Sequence, residues 1–281
     1  MPTPGGRLFV APARRYFDMR YITTAANRIL SNQAKKRLKF LRARLFERCG
    51  SERYSRPALY QMEEALLRHL DGRPGYFVEC GANDGYTQSN TYYLSRYRQW
   101  KGLLIEPIPM LYELCRSFRP ESTVVNCALG AVDGRRSTMV YSDLMSTTIG
   151  ARSSAEADLA FASQNAASVA RHGCFQVEVP VRTLSSVLDD VGVSHVDLFV
   201  LDVEGFELQV LSGIDFDRHH ISYVLVESSD PAAVTQRLAP HFEFVTSLSH
   251  HDLLFRHIAV GNGKSSGRDL SVVAPSPPIH Q

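Results

Sequence analysis

The strongest constraint on this chain is a run of short apolar segments, each separated from the next by enough residues for one helix. Residues 76–80, 102–105, 123–127, 196–201 and 221–226 form the first five. A strand that is apolar along its whole length is buried on both faces, and parallel strands joined by crossover helices produce that burial. Two more runs, 242–247 and 253–260, are close enough to form an antiparallel pair. The rhythm predicts an α/β domain with a doubly wound, mostly parallel, seven-stranded sheet.

The rhythm breaks once, at about 135–180, where 137–141 and 175–179 read as extra strands around an Ala/Ser-rich helical stretch at 153–170. That part is expected to be an insertion. Residues 1–72 read as a basic, helical N-terminal extension. A helix is predicted at 56–70, with Pro57 in its first turn and Leu59, Met62, Leu66, Leu67 and Leu70 on one face, stopped by Gly72, Pro74 and Gly75. The main domain then occupies 73–260, and 261–281, rich in Gly, Ser and Pro, is expected to be disordered. A chain of 281 residues suits one large domain plus such an appendage.

Charge is distributed unevenly. Between Arg7 and Arg48 twelve Lys and Arg face only Asp18 and Glu47, a local balance of +10 in a chain whose total is +2, so the remainder carries −8. A total of +2 does not point to nucleic acid, and none is expected as a partner. The basic segment reads either as a helix in peripheral contact with an anionic membrane through residues 7–48, or as a solvated face packed on a second subunit. Five cysteines without a C-x-x-C pair argue against a disulfide framework and a zinc site. No stretch approaches the ~18–20 apolar residues of a membrane span, and no apolar core of a signal peptide is evident, so a cytoplasmic location is expected.

In open α/β sheets ligands sit beyond the carboxyl ends of the strands. Here those ends are acidic: Glu79 before Gly81-Ala82-Asn83-Asp84-Gly85, Glu106 after the second run, Asp202 and Glu204 after the fourth, and Glu227 after the fifth. Carboxylates at buried strand ends are costly unless they meet a ligand or donor, which suggests one shared site. S-adenosyl-L-methionine offers matching groups: an ammonium, a cationic sulfur and a ribose diol. Gly81 and Gly85 would let the backbone approach its methionine end beside Glu79, and Glu106 lies where an acidic side chain accepts from a ribose. A nucleotide-cofactor oxidoreductase shares that spacing but needs G-x-G-x-x-G, whereas this loop is Gly81-x-x-x-Gly85 with an acidic Asp84 inside it. A non-catalytic binding protein on the same fold is the third reading.

Val78-Glu79-Cys80-Gly81-Ala82-Asn83-Asp84-Gly85, Leu104-Ile105-Glu106-Pro107, Asn126-Cys127-Ala128-Leu129-Gly130 and Leu201-Asp202-Val203-Glu204-Gly205-Phe206-Glu207 resemble FkbM-type methyltransferases in order and spacing, from about Phe77 to Val260. The resemblance implies a Rossmann-like class I methyltransferase fold and S-adenosylmethionine-dependent O-methylation of a hydroxyl, often on a sugar, glycolipid or polyketide. Glu79 departs from the commoner Asp. Cofactor contacts are expected from Glu79, Gly81, Asn83, Gly85, Glu106, Asn126 and Ala128. Asp202 and Glu204 are the candidates for orienting the hydroxyl, taking its proton or holding a divalent metal, although Glu204 and Glu207 would also suit a helix start. Glu227, Ser146 and His251 are the expected acceptor-side residues. Tyr86, Tyr92 and Tyr93 would either stack on a sugar or pack.

Overall fold

The computed structural model describes residues 32–141, 147–148 and 175–258. The helical stretch expected at 153–170, the tail and Ser146 lie outside the described residues. Helix α1 (Asn32–Arg48) comes first, then a 3-10 turn (Leu59–Gln61) and α2 (Met62–Leu67). The helix expected over 56–70 is therefore short and broken. Tyr60 and Gln61 take left-handed angles, φ 53° and 57°, and the Glu63 carboxylate accepts the Ala58 N–H at 2.8 Å, holding the chain in that bend. Burial pushes Glu63 up to about 7.

Eleven strands follow among the described residues: β1 (Tyr76–Cys80), β2 (Lys101–Ile105), β3 (Thr123–Val125), β4 (Ala128–Leu129), β5 (Arg135–Tyr141), β6 (Thr147–Thr148), β7 (Phe175–Arg182), β8 (His195–Leu201), β9 (His220–Glu227), β10 (Phe242–Ser247) and β11 (Asp252–His257). Helices α3 (Tyr92–Tyr97), α4 (Pro109–Phe118), α5 (Leu184–Val191), α6 (Glu207–Ser212) and α7 (Pro231–Leu238) connect them. Seven strands form the main sheet in the order β10-β11-β9-β8-β1-β2-β3. β1 pairs in parallel with β2 and β8, β2 with β3, and β8 with β9, while β11 runs antiparallel to both β9 and β10. The final strand ends at His257, short of the expected Val260. The break at 135–180 becomes a second sheet, β4-β7-β5-β6, in which β5 and β7 pair antiparallel from Arg135↔Val181 to Tyr141↔Phe175.

Alternation along the strands makes both faces apolar. Val78, Cys80, Leu103, Ile105, Phe199 and Leu201 pack with α5, α6 and α7, while Phe77, Leu104, Leu198 and Val200 pack with Met62, Leu66, Leu94 and Trp100. Helix ends are set locally. Thr183 Oγ1 accepts the Ser186 N–H ahead of α5, Asp230 accepts from Ala233 N–H ahead of α7, and Gly192 closes α5 at φ 69°. Helix α1, the described part of the basic segment, packs on the main domain. Phe40 stacks on Phe118 at 4.1 Å and meets Tyr86 and Tyr92 edge-on, Ala43 is fully buried, and Glu47 accepts from Tyr92 Oη at 2.9 Å and Arg96 Nε at 2.9 Å.

Candidate active site

Strand order reverses between β1 and β8, and an open cleft lies beyond their carboxyl ends. Glu79, Gly81, Asn83, Glu106, Ala128, Asp202 and Glu204 all line it, so the strand-end carboxylates share one cavity. Ile108, Leu111, Leu129 and Met139 add an apolar wall, the last from the small second sheet.

The loop between β1 and α3 is built from inside. Glu79 is 4% exposed and accepts from Ser89 Oγ (2.9 Å), Asn90 N–H (2.8 Å) and Thr91 Oγ1 (2.6 Å). Its carboxylate thus folds the loop back over the strand end. Arg119, wholly buried just past α4, reaches the same hydroxyls from the other side and lies 3.6 Å from Glu121. It donates to Gly85 O and Ser95 Oγ at 3.0 Å and to Ser89 Oγ and Thr91 Oγ1 at 3.4 Å. Guanidinium, hydroxyls and Glu79 form one donor-to-acceptor chain. Gly81, at φ +80°, lies so close to β8 that a Cβ would meet the Asp202 carbonyl at 1.9 Å, which makes glycine obligatory there. Gly85 has a different role from the one expected. It does not line the cleft, and a Cβ on it would meet Arg119 Cγ at 2.8 Å and Cys115 Sγ at 2.9 Å, so it lets α4 pack close.

Glu106 is 4% exposed, and its two oxygens take the N–H groups of Asn83 (2.8 Å) and Ile108 (2.9 Å). Burial pushes it up to about 7, and Lys36 offsets part of that rise. Lys36 reaches in from α1, 6% exposed, donating to Asn83 Oδ1 at 2.8 Å and lying 3.4 Å from Asp84 Oδ2. Asp84 is fully buried and also takes Tyr86 N–H, Thr87 N–H and Thr87 Oγ1. Its charge is therefore answered inside the loop rather than presented to the cleft, so the acidic residue in the loop does not itself repel an anionic cofactor. Asn126 does not line the cleft either. Its amide donates to the carbonyls of Glu106 (2.8 Å) and Pro107 (2.9 Å) and pins the turn after β2.

After β8 the chain turns through Glu204, in the left-handed region at φ 55°, and Gly205. Asn83 and Gln88, with φ 52° and 61°, are two more left-handed residues on the cavity wall, and such backbone strain gathers at ligand sites. Asp202 is held well above the usual carboxylate range, first by desolvation and then by the like charges of Glu227, Glu204 and Glu207. Glu227 is raised too, by burial and by Asp252, and it hydrogen-bonds Asp202. Two carboxyls held side by side resist being ionised together. Glu207 opens α6 and accepts the Gly205 N–H at 2.9 Å, the helix-start role foreseen for it.

Glu227 and His251 lie beside the cleft lining rather than in it. His251 Nε2 is 3.3 Å from Glu227 Oε1 and 3.7 Å from Asp252, and Tyr60 meets the rings of His250 and His251 edge-on. Tyr86, Tyr92 and Tyr93 are buried at 6%, 1% and 5% exposure, which settles them as packing. Among the described residues, no group of three or more His, Cys, Asp or Glu gathers as a metal site would. Sequence reasoning missed Arg119 and Lys36, because a cation at a helix end and one in a basic run both read as solvated. Ser89 and Thr91 carried no signal of their own.

Residues 79–257 match the family of the methyltransferase FkbM domain. The chain is 27% identical over 201 residues to methyltransferase sdnD of Sordaria araneosa, covering 61% of this chain and 73% of that protein. It is similar to the crystal structure of methyltransferase FkbM from Methylobacillus flagellatus (17% identity, TM-score 0.43), covering 85% of this chain and 58% of that one. It is also similar to a TehB-like SAM-dependent methyltransferase from Corynebacterium glutamicum (13% identity, TM-score 0.38), covering 81% of this chain and all of the other.

Proposed function

Since the chain belongs to the FkbM family of methyltransferases, we propose that it carries a methyl group from S-adenosylmethionine to a hydroxyl oxygen on a sugar, glycolipid or polyketide-type acceptor. The observation that carries this reading is the ring of carboxylates, Glu79, Glu106, Asp202 and Glu204, around one cleft. When bound, the cofactor supplies a methyl group activated on a cationic sulfur. Glu106, with one backbone donor on each oxygen, keeps lone pairs for two ribose hydroxyls. The Gly81–Asn83 turn would hold the methionine end, and Ile108, Leu111, Leu129 and Met139 would cover the purine.

Asp202 and Glu204 face the remaining space. Asp202, raised by its surroundings, is suited to orient the acceptor hydroxyl and take its proton. Glu227 and His251 would give the acceptor side a polar wall. Residues 81–91 form turns, and the next helix begins only at Tyr92, so no helix N-terminus follows β1 to cradle a pyrophosphate. That disfavours the oxidoreductase reading on firmer ground than the charge of Asp84.

The test is incubation with methyl-labelled S-adenosylmethionine and a cell extract, followed by identification of the labelled product. Calorimetric binding without label transfer to any hydroxyl would favour a binding protein, and no binding would end the proposal. Glu106→Gln is expected to weaken cofactor binding about 10–100-fold, the loss of one or two hydrogen bonds to a charged group. Binding needs Glu106 ionised, so wild-type affinity should fall as the pH drops through about 7, by up to about tenfold per unit, and the variant should lose that dependence.

Lys36→Met is expected to raise the dissociation constant roughly tenfold, since the lysine holds Asn83 and Asp84 in the loop. It should also move the binding midpoint to higher pH, because a cation that holds Glu106 down is gone. An unshifted midpoint would leave Lys36 a packing role only.

A further inference from the structure

Helix α1 has two faces, and the inner one is fully engaged. Lys36, Phe40, Ala43 and Glu47, spaced at i, i+4, i+7 and i+11, contact the glycine loop, Phe118, the buried aromatic cluster and Tyr92. The outer face carries Leu38, Leu41 and Leu45, which are 53%, 60% and 60% exposed. Their spacing of three and four places them on one stripe. By the helical repeat, exposed Arg37 and Arg48 flank that stripe on one side and exposed Arg42 and Lys39 on the other. A leucine stripe between two rows of cations, on a helix whose opposite face is already packed, is an amphipathic surface face among the described residues.

We propose that this outer face docks the protein on an anionic phospholipid surface. Leucines at that position enter the boundary between headgroups and acyl chains, while Arg and Lys extend sideways to the phosphates. Charge complementarity selects the occupant. The helix carries seven Lys and Arg against Glu47 alone, and Glu47 is turned inward onto Tyr92, Ser55 and Arg96. A second copy using the same patch would oppose two strongly cationic helices, and a nucleic acid would have no use for the leucines. Among the described residues no helix is long and apolar enough to cross a membrane, so the contact is in the plane of the surface.

The test is co-sedimentation of the full chain with phosphatidylcholine vesicles, with and without phosphatidylserine, at low and high salt. It reads binding rather than methyl transfer, so its outcome is separate from that of the proposed activity. The expected result is pelleting only with phosphatidylserine, weakened by salt. The triple change Leu38→Gln, Leu41→Gln, Leu45→Gln should reduce the bound fraction at least about tenfold, and Arg37→Glu, Lys39→Glu, Arg48→Glu should do the same. Exposed substitutions of this kind leave folding intact, which an unchanged melting temperature and cofactor affinity would verify. No pelleting with phosphatidylserine, or pelleting indifferent to both triple variants, would overturn the proposal. So would a leucine variant that changes only the oligomeric state, or only RNA binding.

Discussion

Replacing Asp202 with Asn is expected to lower turnover by about 10²–10⁴-fold, the usual contribution of a positioned base, without lowering the melting temperature. The two outcomes have one cause. Asp202 is desolvated and faces Glu227, Glu204 and Glu207, so its charged form is unwelcome in the fold. A group raised in this way supports folding while protonated, and that support disappears as the pH rises through its folded value. An amide carries neither the cost of ionising in the site nor that of keeping a proton the unfolded chain would release, so stability stays level or rises, as at other active-site charges. Cofactor affinity should change little, and wild-type turnover should rise with pH through a value above the ordinary carboxylate range. Turnover within about threefold of wild type, in Asp202→Asn and Glu204→Gln alike, would remove both residues from the chemistry.

Arg119→Met is expected to cost about 3–5 kcal/mol of stability, the penalty for leaving several buried acceptors without the charged donor that satisfies them. For a chain of this size that is a fall of roughly 6–20 °C in melting temperature. Methionine fills the space but cannot donate. It leaves the Gly85 carbonyl, Ser95 Oγ and the two hydroxyls that answer Glu79 without their cation. Because those hydroxyls hold the glycine loop, cofactor affinity should fall with stability. Arg119→Lys should recover part of the first and less of the second, since an ammonium cannot span four acceptors in a planar fork. Calorimetric melting of the three proteins decides it, and a Met variant melting within about 2 °C of wild type would show that the buried guanidinium is idle.

The division between what could be read from the chain and what could not follows the range of each interaction. Strand positions, the antiparallel pair at the end and the acidic strand ends were legible because side-chain alternation and burial on both faces write themselves into consecutive residues. Over 56–70 the stripe of leucines predicts one helix, but the Glu63 carboxylate, five residues after Ala58, accepts its N–H and holds the backbone in left-handed angles. Gly85 and Asn126 were assigned to the cofactor because they stand in the right motif, yet one makes room for α4 and the other ties two carbonyls.

By itself, then, the sequence determined the α/β class, the positions of the strands along the chain and the acidic character of their carboxyl ends, because periodicity and strand-end position are local properties. Only the tertiary structure decided that a basic N-terminal helix puts Lys36 against the glycine loop, that Arg119 is buried against the hydroxyls that bind Glu79, and that Asp202 and Glu227 meet. Each of those depends on which distant side chain supplies the opposite or like charge at close range, and Coulomb interactions in a desolvated cleft follow separation in space rather than along the chain.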